Sequence, residues 1–137
     1  MREILLHGST DEAFDPSVAY VRLLAETFQA RLHVVYTLED PLAAGWTAEV
    51  SAARLPEVHQ AMEAEVRQRL ARVISLDQQE RLGVQIALRT GSAEREILSY
   101  AREHPIELAI VQAGRGGGSD VARALIDHGR CAVLVLR

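Results

Sequence analysis

The strongest constraint on the fold of this chain is an alternation of two patterns. Apolar runs too short for helices are separated by segments whose apolar residues recur at helical spacing. Runs of the first kind occupy residues 3–7, 31–36, 84–88, 108–111 and 131–136. Between them, Val18, Val21, Leu24, Ala25 and Phe28 predict a helix over 16–30, with Pro16 in its first turn. Val58, Met62, Val66, Leu70 and Val73 predict a second helix, from Pro56 to about Ile74. Ile97, Leu98 and Ala101 point inward from a third, over 93–103, capped by Gly91 and Ser92. A fourth runs from about Asp120 to His128. Strands joined through helices lie parallel and are covered on both sides. The pattern therefore predicts one α/β domain over 1–137: a doubly wound, parallel, five-stranded sheet with helices on both faces.

Composition narrows the chemistry. The net charge of −4 disfavours nucleic acid as a partner. All fifteen basic residues are arginine, which excludes a Schiff-base lysine and the lysine of a P-loop. The sequence holds neither C-x-x-C nor H-E-x-x-H, so no metal site is expected. Cys131 is the single cysteine and suits a reducing cytoplasm, the expected location. No apolar stretch approaches the roughly 18 residues that a membrane span needs, so no membrane partner is expected.

In such sheets, ligands bind outside the carboxyl ends of the strands, where strand order reverses. Four loops lie there: 7–11, 37–46, 90–92 and 113–120. The segment 37–54 has no clear period and reads as a lid or surface loop. It carries Pro41, Gly45 and Trp46; the tryptophan reads as a ligand or partner contact, or as a tuck that holds the loop to the sheet. The loop after the fourth strand is rich in glycine, Gly114-Arg115-Gly116-Gly117-Gly118, and leads through Ser119 and Asp120 into a helix.

That loop has three readings. Its backbone N–H groups, the Ser119 hydroxyl and the Arg115 charge can cradle a phosphate, and its shortness favours a mono- or diphosphate. Ser119 or Asp120 can instead cap the helix, worth about 1 kcal/mol. Finally, the glycines can serve only a tight strand-to-helix connection.

The segment VQIALRTGSAEREILSYAREHPIELAIVQAGR, the later Gly118-Ser119, the closing CAVLVLR and the earlier LHVVYTLEDPL resemble the universal stress protein family over essentially the whole chain. The resemblance implies a flavodoxin-like strand order, 3-2-1-4-5. It also implies a non-enzymatic regulatory or protective role in the stress response, and a homodimer paired through the last strand, from Cys131 to Leu136. Many members bind ATP through a G-x2-G-x9-G-[ST] pattern and an aspartate after the first strand. This chain departs from that pattern twice. Gly114 and Gly117 match its start and Gly118-Ser119 its end, but the nine residues between them are absent. His7, Gly8 and Ser9 occupy the turn where the aspartate belongs, and Asp11 comes two residues late. The candidate ligands are ATP, ADP or AMP. The candidate binding residues are Gly114, Arg115, Gly116, Gly117, Gly118 and Ser119, with His7, Gly8 and Ser9 of the first turn and Val35 of the second strand.

The alternative in another class is an enzyme built on the His7-Gly8-Ser9 turn. That turn is similar to the one where sirohydrochlorin-type chelatases place a histidine; a weak nucleotide hydrolase is the other form. A nucleophilic serine would need a base, and His7 is its only plausible neighbour. A third reading is a dimer that binds only proteins. The dimer expectation also has a physical basis. A last strand of six apolar residues invites aggregation at a sheet edge unless a second copy covers it. The charged run Glu63, Glu65, Arg67, Arg69 and Arg72 reads as the solvated face of the second helix.

Overall fold

Leu5 and Leu6 are neighbours in one strand, so their side chains leave the sheet on opposite faces. Both are essentially inaccessible to solvent. The same holds for Val34 and Val35, and for Ile110 and Val111. A sheet buried on both faces needs a layer of helices on each. The computed structural model, which describes residues 2–8, 14–38, 42, 45–113 and 118–137, has that architecture.

Its elements in chain order are β1 (Glu3–His7), α1 (Phe14–Phe28), β2 (Arg31–Leu38), α2 (Ala48–Leu70), α3 (Leu76–Arg81), β3 (Gln85–Thr90), α4 (Ala93–Glu103), β4 (Leu108–Gln112), α5 (Gly118–His128) and β5 (Ala132–Leu136). The strands form one parallel sheet in the order β3-β2-β1-β4-β5, the flavodoxin-like arrangement. In register, Ile4 to His7 lie beside Leu32 to Val35, and Ile4 to Leu6 beside Leu108 to Ile110.

Each face has its own core. On one, Ile4, Leu6, Leu32, Val34 and Ile110 pack with Val18 and Val21 of α1 and with Val66 and Leu70 of α2. On the other, Leu5, Val35, Ala109 and Val111 pack with Ile97 and Tyr100 of α4 and with Val121, Ala122 and Leu125 of α5. Each fully buried aliphatic side chain contributes about 1.5–3 kcal/mol.

The helices differ from the sequence expectation at identifiable signals. α1 ends at Phe28 because Gln29 takes a left-handed backbone, φ 51°. The N–H of Gln29 then bonds Glu26 and that of Ala30 bonds Ala25, satisfying the last carbonyls of the helix. α2 begins eight residues before Pro56. Its N-cap is Thr47, whose hydroxyl accepts the Val50 N–H at 3.2 Å. Pro56 sits inside the helix and forfeits one backbone bond. The expected lid is therefore shorter than 37–54, since Thr37 and Leu38 extend β2 and residues 48–54 are helical.

The polar stretch before Gly83 holds a further helix, α3. Ser75 Oγ accepts the Gln78 N–H at 3.2 Å, and Gln78 Oε1 accepts the Ser75 N–H at 3.0 Å. Ser92 stands at the N-cap of α4 but makes no side-chain capping bond. α5 begins at Gly118, which puts Ser119 and Asp120 inside its first turn rather than at its cap.

Candidate functional site

Between β1 and β4 the sheet order reverses, so the carboxyl ends of these two strands border the crevice where such folds bind ligands. The floor of the crevice is tightly built. The N–H of Gly8 donates to the Val35 carbonyl at 2.8 Å. The Tyr36 ring lies so close over Gly8 that a Cβ there would stand 2.6 Å from Tyr36 Cδ2. Only glycine fits beneath that ring without displacing it.

The far wall is the amino end of α5. A Cβ on Gly118 would overlap the Gln112 carbonyl oxygen and touch Val111 Cγ1 at 3.5 Å. Glycine thus lets the helix seat directly on the last turn of β4. The dipole of a helix makes its amino end favourable for an anion. Gln112 is held from the other side of the sheet, where the buried Ser17 hydroxyl donates to its Oε1 at 2.8 Å.

His7 lies between floor and wall. Alternation along β1 puts it on the α4/α5 face with Leu5, level with Val35 on one side. One step beyond the Leu6–Ile110 pair, it is level with Val111, the residue on which Gly118 rests. The imidazole is only 7% exposed and makes no hydrogen bond among the described residues. Burial pushes its pKa below the ordinary 6.5, so the ring is neutral at pH 7.

The structure therefore puts His7 and Gly8 at the end of β1 and Gly118 against the end of the neighbouring β4, with Ser119 exposed on the same helical turn as Gly118. Val35 belongs to the floor. Its side chain is fully buried in the core, and its carbonyl is taken by Gly8. Ser9, Gly114, Arg115, Gly116 and Gly117 lie outside the described residues. Trp46, 37% exposed, precedes the Thr47 cap, and Leu42 and Val50 nearby in sequence are also exposed. Two residues of the crevice escaped the sequence reading. Ser17 is a buried polar residue of α1 that carries no apolar signal. Tyr36 had been read only as the end of a strand.

The opposite end of the same sheet face holds a second buried histidine. His33 Nε2 lies 3.2 Å from Glu3 Oε2, and its Nδ1 lies 2.6 Å from the Tyr100 hydroxyl. Glu3 accepts only, so Nε2 carries the proton and Nδ1 accepts from Tyr100. The His104 ring stacks on Tyr100 with 4.0 Å between centroids, and the Arg89 guanidinium lies 5.3 Å from the Tyr100 ring centre. Arg89 in turn donates to Glu103 at 2.7 Å and holds that carboxyl below its usual range. Burial lowers the His33 pKa, and Glu3 opposes that effect. Among the described residues, no three His, Cys, Asp or Glu side chains converge as a metal site.

The model of the Universal stress protein family matches residues 8–137. The chain belongs to that family. Among solved structures, the universal stress protein UspA from Lactobacillus plantarum is 22% identical, covering 99% of this chain and 97% of its own, with a TM-score of 0.69. A universal stress protein in complex with cAMP is 13% identical, covering 99% and 96%, with a TM-score of 0.64. One from Archaeoglobus fulgidus in complex with dAMP is 12% identical, covering 100% and 98%, with a TM-score of 0.57. At these identities the likeness is one of fold. No curated protein matches the chain. Among the described residues, no helix is long and apolar enough to cross a membrane.

Proposed function

We propose that this universal stress protein is a non-enzymatic regulatory or protective module that binds a small adenine nucleotide between the β1 turn and the start of α5. The observation that carries this reading is the seating of α5. Its amino end is seated against the last residues of β4, the strand that borders the switch point of the sheet. Two fold relatives in complex with cAMP and dAMP support adenine as the base. The short glycine loop favours AMP or ADP over ATP. The enzyme reading is weaker, because His7 has no orienting acid and no hydroxyl partner among the described residues. A cytoplasmic setting and one domain over 1–137 belong to the same proposal.

Thermal unfolding with AMP, ADP and ATP tests the reading. A ligand at 100 times its dissociation constant should add about 2.7 kcal/mol, with AMP or ADP giving the larger rise in Tm. An unchanged Tm with all three at millimolar concentration overturns it.

The same proposal includes a homodimer paired through β5. Among the described residues that strand bonds β4 on one side only, and Val135 on it is 39% exposed. Val135→Glu should convert a dimer to monomer on sizing, whereas an unaffected dimer places the interface elsewhere.

A further inference from the structure

His7 is a buried polar group that the fold does not use. Its ring makes no hydrogen bond among the described residues, and its nitrogens keep some access to solvent, so they remain reachable from outside the fold. The position is not remote from chemistry. It lies at the carboxyl end of β1, on the face that α5 covers, level with the residue on which the first turn of α5 is seated. An anion bound to the N–H groups of that turn would lie beside the ring. Charged groups on the surrounding elements are engaged or exposed. Arg89 of β3 is tied to Glu103. On α4, Glu94 and Arg95 are exposed, and Glu96 is turned toward Gly91. On α5, Asp120 and Arg123 are exposed. β2 and β4 present only Val35 and Val111 beside it.

Resting on the nucleotide reading above, we propose that His7 meets the phosphate of the bound nucleotide and that binding draws a proton onto its imidazole. The ring is then neutral in the free protein and a cation, donating to a phosphate oxygen, in the complex. Affinity consequently rises as pH falls. The effect reaches at most about tenfold per pH unit for one linked proton, in the window between the free-state and bound-state proton affinities of the ring. The ligand class is a phosphate monoester. A terminal phosphate dianion gains more from an adjacent cation than the single charge of a diester does.

Calorimetric titration of the full chain with AMP, at pH 6, 7 and 8 and in buffers of different ionisation heat, tests this. The wild type should take up a sizeable fraction of a proton at pH 7 and bind severalfold more weakly at pH 8. His7→Gln should bind with little proton uptake and a flat profile, apart from the titration of AMP itself. Equal proton uptake in wild type and His7→Gln overturns the inference. Binding without uptake in the wild type does so too, and in both cases the nucleotide reading is left standing. No binding at any pH overturns both. Should His7→Gln fail to fold, NMR titration of the His7 ring in the wild type decides. Its pKa should lie below 6.5 in the free protein and rise on saturation with AMP. An unmoved pKa overturns the inference.

Discussion

His7 and His33 stand on the same face of the same sheet, both more than nine-tenths buried, and among the described residues only His33 has protein partners on its ring nitrogens. His33 spends both ring nitrogens on protein partners, Glu3 and Tyr100, which come from β1 and α4. It ties two elements together, and the stacked Tyr100 and His104 rings extend the tie. His7 has comparable burial, yet it ties nothing among the described residues. A buried polar group that is paired stabilises a structure; one without a protein partner can bond solvent or a ligand where these reach it. Under the proposed function, the contrast separates scaffold at the amino end of the sheet from a ligand site at its carboxyl end.

The largest expected effect at this contrast is His33→Ala. It should destabilise the fold by about 3 kcal/mol in urea unfolding, because a cavity opens and both Glu3 and Tyr100 lose a partner. A loss under about 1 kcal/mol would mean the tie is dispensable, and the contrast would fail from that side.

Next comes pH. Both histidines have folded-state pKa values below the ordinary 6.5, so the unfolded chain binds protons more readily. Their contribution to stability is present above pH 6.5 and is lost as pH falls below it toward the folded values. Urea midpoints between pH 7.5 and 5.5 should decline for the wild type. His7→Leu should flatten that decline in part. An unchanged slope in this variant would show that His7 titrates alike in the folded and unfolded chains.

Smallest is the stability change of His7→Leu itself at pH 7.5. Exchanging an unpartnered imidazole for an aliphatic group of similar size should leave stability within about 0.5 kcal/mol, or raise it. A loss above about 2 kcal/mol would mean that His7 also serves the scaffold.

Much of this was legible in the sequence, for reasons that also explain the misses. Five apolar runs located all five strands within a residue or two, since full burial on both faces leaves an unbroken apolar signature. That signature carries no information about which face a residue takes. Val34 and Val35 read alike, yet one joins the core on the α1/α2 face and the other the core on the α4/α5 face. The start of α2 was obscured because residues 48–60 include no buried position to set a helical period, while Pro56 gave a false start. Its true signal was the Thr47 cap. α3 announced itself only through Ser75 and Gln78, spaced as a capping box. At the site, His7, Gly8 and Gly118 stood out as turn residues. Ser17 and Tyr36 did not, since their roles depend on contacts across the sheet with Gln112 and Gly8.

The length of α2 has a mechanical consequence. Among the described residues, the buried side chains of this helix are Val66 and Leu70 near its end, and the turns before Val66 are partly buried or exposed. It is held most firmly at one end, and its hydrogen-bond ladder is broken at Pro56. Opening can therefore start at the less buried end and stop short of Val66 without disturbing the sheet. Amide hydrogens before Pro56 should exchange with solvent readily, and those near Leu70 only when the whole fold opens.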